Sequence, residues 1–222
     1  MKSFIQTLKN IFKIEDLRKR ILYTLGILLV YRLGSFIVIP GLDPDQLSAL
    51  QEQTKEGIMG LLNMFSGGAF SNASIFALGI MPYISASIVV QLLGIAIPYF
   101  QRLQKEGESG RNKLNQITRI LTIAILILQA PAYLANLHAQ LPESAFIVKG
   151  ASFTIFATIV LIAGTMFIMW LGEKITDKGI GNGISLIIMI GIIARLPFAL
   201  VAEFFSRAEE LGGGLVMFLA EL

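Results

Sequence analysis

The chain has 222 residues, of which 55% are hydrophobic and only 15% are charged, and its formal net charge is +3. Soluble globular domains carry roughly 25% charged residues, so this composition excludes a disordered chain and most soluble enzymes. The absence of cysteine and the single histidine exclude a disulfide framework and a cysteine nucleophile, and they argue against a histidine-built metal site. The composition predicts an all-α polytopic membrane protein with no catalytic residues, cofactor or metal.

Apolar runs of bilayer length alternate with polar segments along the chain. A spanning helix needs about 20 mostly apolar residues. The predicted spans are residues 21–39, 75–98, 120–137, 151–171 and 184–201. The predicted connecting segments are residues 1–20, 40–57, 99–119, 138–150, 172–183 and 202–214. Residues 1–20 have an apolar face typical of a helix on the membrane surface. We expect the apolar run 215–222 to begin a sixth span of a longer protein.

One charge-free stretch, residues 57–101, is too long for one crossing and too short for two. Its middle, residues 66–74, is small and polar rather than lipid-like. We interpret residues 58–73 as a short re-entrant half-helix that is broken at Gly67 and Gly68. Irregular backbone persists at membrane depth only where protein or water surrounds it, and a broken apolar segment points to a transport site.

Basic residues are distributed unevenly between alternate connecting segments. The segments 1–20, 102–119 and 172–183 hold 13 basic and 6 acidic residues, whereas the other connecting segments hold 3 basic and 8 acidic residues. Cytoplasmic loops carry an excess of Lys and Arg. The pattern therefore predicts a cytoplasmic N-terminus and five crossings.

The charges inside the predicted spans do not form a catalytic group. Neither Asp nor Glu occurs in a span before the last residues of the chain, so a membrane-embedded hydrolase would lack its carboxylates. Arg32 and Arg195 are embedded, and we expect structural roles for both. The run GIGNG at residues 179–183 lacks the Gly-Lys-Ser/Thr ending of a phosphate-binding loop, and we interpret it as a turn before a helix.

Two isoleucine pairs share a helical spacing. Ile80 and Ile84 lie four residues apart in the second span, and Ile184 and Ile188 repeat this spacing in the fifth. Residues four apart lie on one helical face. Spacing alone does not separate a special role from ordinary contact with lipid or another helix. Leu28, in the first span, is expected to face lipid.

Long motifs occur in a fixed order along the chain. They are RLGSF at 32–36 with Pro40-Gly41, NMFSGGA at 63–69, ASIFALGIMPYISASI at 73–88, KEGESGR at 105–111, MWLGE at 169–173 and GIGNGIS at 179–185. Together they resemble the bacterial SecY family, the central subunit of the protein-conducting channel.

The resemblance implies a fold and a set of site residues. SecY proteins have two halves of five transmembrane helices in inverted topology around an hourglass pore, and this chain would form the first half, with a broken second helix. Residues 58–73 would form the plug and residues 75–98 a lateral gate helix. The implied pore ring is Ile80, Ile84, Ile184 and Ile188. The implied plug motif is Asn63, Met64, Phe65, Ser66, Gly67, Gly68 and Ala69. Ser85 and Gln129 match polar gate positions.

The resemblance also implies a function and partners. The protein would pass unfolded secretory proteins across the bacterial inner membrane and release transmembrane segments sideways into lipid. Its partners would be the SecE and SecG subunits, the SecA motor ATPase, the ribosome, signal sequences, nascent polypeptides and membrane lipid. Candidate contacts for the motor or ribosome are Arg102, Lys105, Arg111, Lys113 and Arg119. Ordinary positive-inside anchoring explains these five residues equally well.

Two other classes of function stay open on the residues alone. Half of an inverted-repeat transporter of small solutes would also contain a broken helix. That transporter should carry polar ligands at mid-membrane, whereas the second span offers mainly Ile, Ala, Ser and Gly. A scaffold that only anchors partners is the second alternative.

Overall fold

The computed structural model describes residues 13–53, 57–148 and 150–194. Within these ranges the regular structure is helical, with two short 3₁₀ turns at Pro44–Gln46 and Glu143–Ala145. The helices are α1 (Glu15–Gly34), α2 (Ser48–Gln53), α3 (Gly57–Phe65), α4 (Met81–Ala96), α5 (Pro98–Lys105), α6 (Glu108–Gln140), α7 (Ala151–Lys178) and α8 (Gly183–Ile193). Residues 1–12, Arg195 and the predicted segments 202–214 and 215–222 lie outside the described residues.

Two described helices are long and apolar enough to cross a membrane by themselves. They are α6, with 33 residues, and α7, with 28. At 1.5 Å per residue they measure about 50 Å and 42 Å, longer than the hydrocarbon core of about 30 Å. The pair α4 and α5 would count as a third crossing if its two helices form one bent span. The five predicted crossings stay a prediction, since α8 is described over only 11 residues.

The helices extend beyond the spans predicted from hydropathy. α6 begins at Glu108 and α7 ends at Lys178, so parts of the predicted connections 99–119 and 172–183 are helical. Residues 15–20 form the first turns of α1, whereas the sequence predicts them in a separate surface segment. Exposed charges are compatible with a helix, and a hydropathy pattern marks where the apolar environment ends rather than where the helix ends.

The predicted span 21–39 needs correction at its outer end. α1 ends at Gly34, and the following residues pair with the backbone of residues 73–75. The Ile39 amide donates to the Ala73 carbonyl oxygen, and the Ile75 amide donates to the Ile37 carbonyl oxygen, both at 2.9 Å. These bonds satisfy backbone groups that neither segment satisfies through a helix.

The second predicted span, residues 75–98, also differs from the observed helix at both ends. Residues 66–80, named here the turn segment, form consecutive turns, and helix α4 begins only at Met81. Pro82 lies in the first helical turn, where the missing proline N–H costs no helical bond. Pro98 bends the chain by 101° between α4 and α5, and the preceding Ile97 is extended, as expected before proline.

Chain segments that the charge pattern assigns to the same side of the membrane contact each other in the fold. At the predicted outer side, the Asp43 amide donates to the Ala145 carbonyl oxygen (2.9 Å), so segments 40–57 and 138–150 meet. At the predicted cytoplasmic side, the Ile180 amide donates to the Thr24 hydroxyl (3.1 Å). These contacts agree with the predicted topology, although the orientation itself stays a prediction.

Two apolar clusters fill the interior. The outer cluster joins α6 and α7 to the turn segment and includes Phe70, Tyr133 and Phe153. The inner cluster joins α1, α7 and α8 to the start of α4. Many large apolar side chains on the outer faces of α1, α4, α6 and α7 are exposed, an arrangement typical of surfaces that contact lipid or another protein segment.

A glycine on α7 sets how closely the turn segment packs. A Cβ atom at Gly164 would overlap the Ile75 carbonyl oxygen, which belongs to the main chain and cannot rotate away. We expect Gly164→Ala to destabilise the protein by about 1–3 kcal/mol and to lower its thermal unfolding midpoint in detergent. Gly26→Ala is the matched control, because nothing lies within 4 Å of a Cβ atom there. It should be neutral or stabilising, and equal losses in both variants would contradict the packing argument.

Candidate functional site

Of the four isoleucines selected from the sequence, Ile80 belongs to the inner cluster and Ile84, Ile184 and Ile188 pack against it. Ile80 precedes α4 by one residue, Ile84 lies in its first turn, and Ile184 and Ile188 come from α8. Ile80 is buried, with 3% of its surface exposed, and the other three are half-buried. The two isoleucine pairs, about 100 residues apart in sequence, thus pack in or against one cluster. Their role as a pore ring stays a prediction.

The side chains of this cluster carry no charge. Its buried members are Leu28, Tyr31, Ala69, Phe76, Ile80, Ile168, Leu171, Ile175 and Ile187. Leu28 is only 8% exposed, so the expectation that it faces lipid is wrong, because α1 turns this face toward the inner cluster. Its neighbour Leu29 is 59% exposed, the exposure expected of a residue that contacts lipid.

The turn before α8 fixes the orientation of that helix. The Asn182 side chain accepts hydrogen bonds from the amides of Ile184 (3.1 Å) and Ser185 (3.3 Å) and caps the helix. The Gly183 amide donates to the Thr176 hydroxyl of α7 (2.9 Å). The interpretation of residues 179–183 as a turn that leads into a helix is therefore confirmed.

The predicted break at the glycine pair coincides with the end of α3. The helix stops at Phe65, and Gly67 and Gly68 have φ angles of +64° and +93°. Only glycine adopts this region without strain. The predicted half-helix 58–73 is therefore helical only to Phe65, and its remainder belongs to the turn segment.

The plug motif lies mostly inside the protein. Asn63, Ser66, Gly67, Gly68 and Ala69 are buried, and Met64 and Phe65 are half-buried. The Asn63 side chain accepts from the Ser71 amide (3.1 Å), and the Ser66 hydroxyl accepts from the Phe70 amide (3.1 Å). These two polar side chains hold the fold of the turn segment from within.

Two residues of α1 bind the chain where α3 ends. The Tyr31 hydroxyl donates to the Ser66 carbonyl oxygen (3.2 Å), and Arg32 Nη1 donates to the Gly67 carbonyl oxygen (2.9 Å). The expected structural role of Arg32 is thereby confirmed. Tyr31 was not singled out in the sequence, where a tyrosine in an apolar helix looks like an ordinary core residue.

The predicted gate residues lie on exposed surface. Ser85 follows Ile84 on α4, and Gln129 lies on α6, the helix that packs beside α4. Both side chains are exposed. Their assignment to a lateral gate stays a prediction.

The five basic residues fall into two groups. Arg119 pairs with Glu173 of α7 through two hydrogen bonds of 3.1 and 2.6 Å, and Lys113 lies 3.8 Å from Glu106. Arg102, Lys105 and Arg111 are exposed and have no ion-pair partner among the described residues. The first group stabilises the helix ends, while the second leaves its charge open to a partner.

The SecY family model matches residues 74–222 of the chain. The chain belongs to the SecY family. Among curated SecY relatives, each named protein translocase subunit SecY, that of Streptomyces scabiei is 47% identical over 218 residues, which cover 93% of this chain and 49% of the relative. The Escherichia coli K12 protein is 50% identical and is covered to 44% of its length. The chain therefore spans about half the length of the curated SecY relatives it matches.

Solved structures share the fold. A protein-conducting channel superposes with a TM-score of 0.53 and 20% identity, covering 82% of this chain and 37% of the other. Sec61 in a canine ribosome-channel complex from the endoplasmic reticulum gives a TM-score of 0.51 and 21% identity with the same coverage. These similarities confirm an all-α, SecY-like fold.

The cap of α8 can be tested separately from the cluster it positions. We expect Asn182→Ala to destabilise the protein by about 1 kcal/mol, because two amides of the first helical turn lose their acceptor. Hydrogen exchange at Ile184 and Ser185 should become faster. Asn182→Asp retains an acceptor oxygen and should preserve slow exchange; rapid exchange in both variants would show that the cap is unimportant.

Proposed function

We propose that this chain forms one half of a protein-conducting pore in a bacterial inner membrane, with its N-terminus in the cytoplasm. The pore passes unfolded secretory proteins and releases transmembrane segments sideways into lipid. The observation that carries the proposal is that Ile80 lies in the inner cluster and Ile84, Ile184 and Ile188 pack against it, beside a non-helical segment. Membership of the SecY family supports it.

An isoleucine ring suits a pore for polypeptides of any sequence. A narrow apolar constriction excludes water and ions by dewetting. Branched aliphatic side chains make no directional bonds, so they can move aside for many kinds of side chain. Ile84, Ile184 and Ile188 are half-buried, which leaves part of each side chain free to line a passage.

The turn segment and α3 supply the closing element. The turn segment contributes Ala69 and Phe76 to the inner cluster, and residues 57–80 contain no charged residue. An uncharged element can occupy the closed channel without the cost of burying an ion. A signal sequence that binds between the gate helices would favour the open state by differential affinity.

A transporter of small solutes fits the cluster less well. Such a site needs polar or charged groups that bind the solute. The buried members of the inner cluster are aliphatic or aromatic, and the hydroxyl of Tyr31 among them is bonded to Ser66.

The partners of the proposed pore follow from the family. SecE and SecG would complete the membrane complex, and the SecA ATPase or the ribosome would deliver the polypeptide. The similarity to Sec61 in a ribosome-channel complex supports a ribosome partner. The unpaired charges of Arg102, Lys105 and Arg111 are suited to ribosomal RNA phosphates.

The seal can be tested in the complete translocase that contains this chain. We expect Ile188→Asn or Ile80→Asn to raise ion conductance several-fold in proteoliposomes, because a polar side chain stabilises water in the constriction. The matched control is Ile193→Asn, on the same helix as Ile188 but 46% exposed and outside the cluster. Conductance that stays at the wild-type value in both ring variants would reject the ring.

The path of the polypeptide can be mapped by crosslinking, since the chain contains no cysteine. A thiol in Ile84→Cys should form adducts with a stalled secretory chain, because Ile84 faces the proposed passage. Leu29→Cys, at a 59% exposed position, should form few. Efficient adducts at Leu29 with none at Ile84 would exclude this pore assignment.

The basic surface can be tested by the salt dependence of ribosome binding. Replacing Arg102, Lys105 and Arg111 with alanine should weaken binding and reduce the slope of log affinity against log salt by about 1 per phosphate contact. Lys19→Ala is the control, because Lys19 lies on α1 and pairs with Glu15 (2.8 Å). An unchanged slope in the triple variant would favour simple positive-inside anchoring.

A further inference from the structure

Side chains of α1 bind the corner where α3 ends, in addition to the backbone bonds that residues 66–69 make there. Here Tyr31 donates to the Ser66 carbonyl oxygen and Arg32 donates to the Gly67 carbonyl oxygen. Two adjacent residues of α1 therefore bind two adjacent carbonyl groups, which fixes both the position and the direction of the corner.

Arg32 makes this contact without an acidic partner. Its side chain is half-buried, and no carboxylate in the described part of the chain forms an ion pair with it. Its guanidinium lies 5.5 Å from the centroid of the Phe36 ring, a cation–π contact. An arginine within an apolar helix is costly unless its donors are used, and a carbonyl group at the end of a helix is a favourable site for a cation.

Helix α8 closes the other side of the corner. A Cβ atom at Gly67 would lie 2.9 Å from the Cα atom of Gly191 and 3.0 Å from Arg32 Nη1. Gly191 follows Ile188 by three residues on α8. The corner is therefore enclosed between the arginine of α1 and the helix that carries half of the proposed ring.

We propose that Tyr31 and Arg32 are positioning residues that latch this corner, and that breaking the two bonds frees the corner when the pore opens. This inference rests on the proposed function, because a pore requires the segment to move. The latch has a simple logic. Both acceptors are backbone carbonyl groups, so the departing segment takes no charge with it, and Arg32 stays on α1 to bind the corner again.

A single thiol can report whether the corner is closed. Ala69 lies directly after the corner and is 0% exposed, so Ala69→Cys should react slowly with a water-soluble maleimide in native membranes. Arg32→Met removes the charged donor and should raise the labelling rate about tenfold, the effect of losing one charge-assisted hydrogen bond. Tyr31→Phe removes a neutral donor and should raise the rate less. Arg32→Lys retains charge and a donor, so its rate should lie between wild type and Arg32→Met.

Two controls separate latch release from general damage. Arg20→Gln removes an exposed arginine from the same helix, one that pairs with Asp16 (3.1 Å), and should leave the rate at Ala69→Cys unchanged. Ala157→Cys places a thiol in the outer cluster at a 0% exposed position, and it should stay unreactive in the Arg32→Met background. An unchanged rate at Ala69→Cys, or equal increases at both thiols, would overturn the latch.

The labelling assay also distinguishes the latch from the pore, because it does not require transport. If Ile188→Asn leaks but Arg32→Met leaves Ala69→Cys shielded, the latch is rejected and the proposed function stands. If Arg32→Met exposes the Ala69→Cys thiol while neither ring variant leaks, the corner contact is supported and the proposed pore is rejected.

Discussion

The backbone of residues 66–80 places the main constraint on this structure, because it crosses an apolar bundle without forming a helix. A bilayer offers no partners for free N–H and C=O groups. The partners come instead from turns within the segment, from the pairing with residues 37–39 and from side chains, including the Tyr133 hydroxyl, which donates to the Phe70 carbonyl oxygen (3.0 Å). α1, α6 and the connection after α1 are therefore positioned as much by the hydrogen-bonding needs of this segment as by apolar packing.

Small residues make that arrangement sterically possible. Gly164 of α7 meets the Ile75 carbonyl group, and Gly191 of α8 meets Gly67, each without an intervening side chain. These close contacts, with a few hydrogen bonds, give the segment a well-defined position. A segment held in this way can leave its site without exposing a buried charge, and this property connects the fold to the proposed closing element.

The sequence indicated the features that depend on composition and missed those that depend on tertiary contacts. The uncharged stretch 57–101 and the glycine pair predicted the break, because glycine alone tolerates the φ angles found at Gly67 and Gly68. The resemblance selected four isoleucines, and the structure places them in or against the inner cluster. Helix ends were poorly predicted because hydropathy follows the surroundings of the chain rather than its hydrogen bonds. Tyr31 was missed and Leu28 was misplaced. The packing of α1 against α7 and α8 decides which side of α1 is buried, and hydropathy does not show that packing.

The different burial of the ring residues bears on how such a site would open. Ile80 is nearly enclosed at the start of α4, whereas Ile84, Ile184 and Ile188 keep part of their surface free. Exposed apolar surface favours association with any apolar surface offered to it. In the proposed pore that surface closes against other apolar side chains when the channel is empty and contacts the polypeptide when it is occupied. Directional bonds, among them those from Arg32 to Gly67 and from Tyr133 to Phe70, add to apolar contact in setting the position of the turn segment.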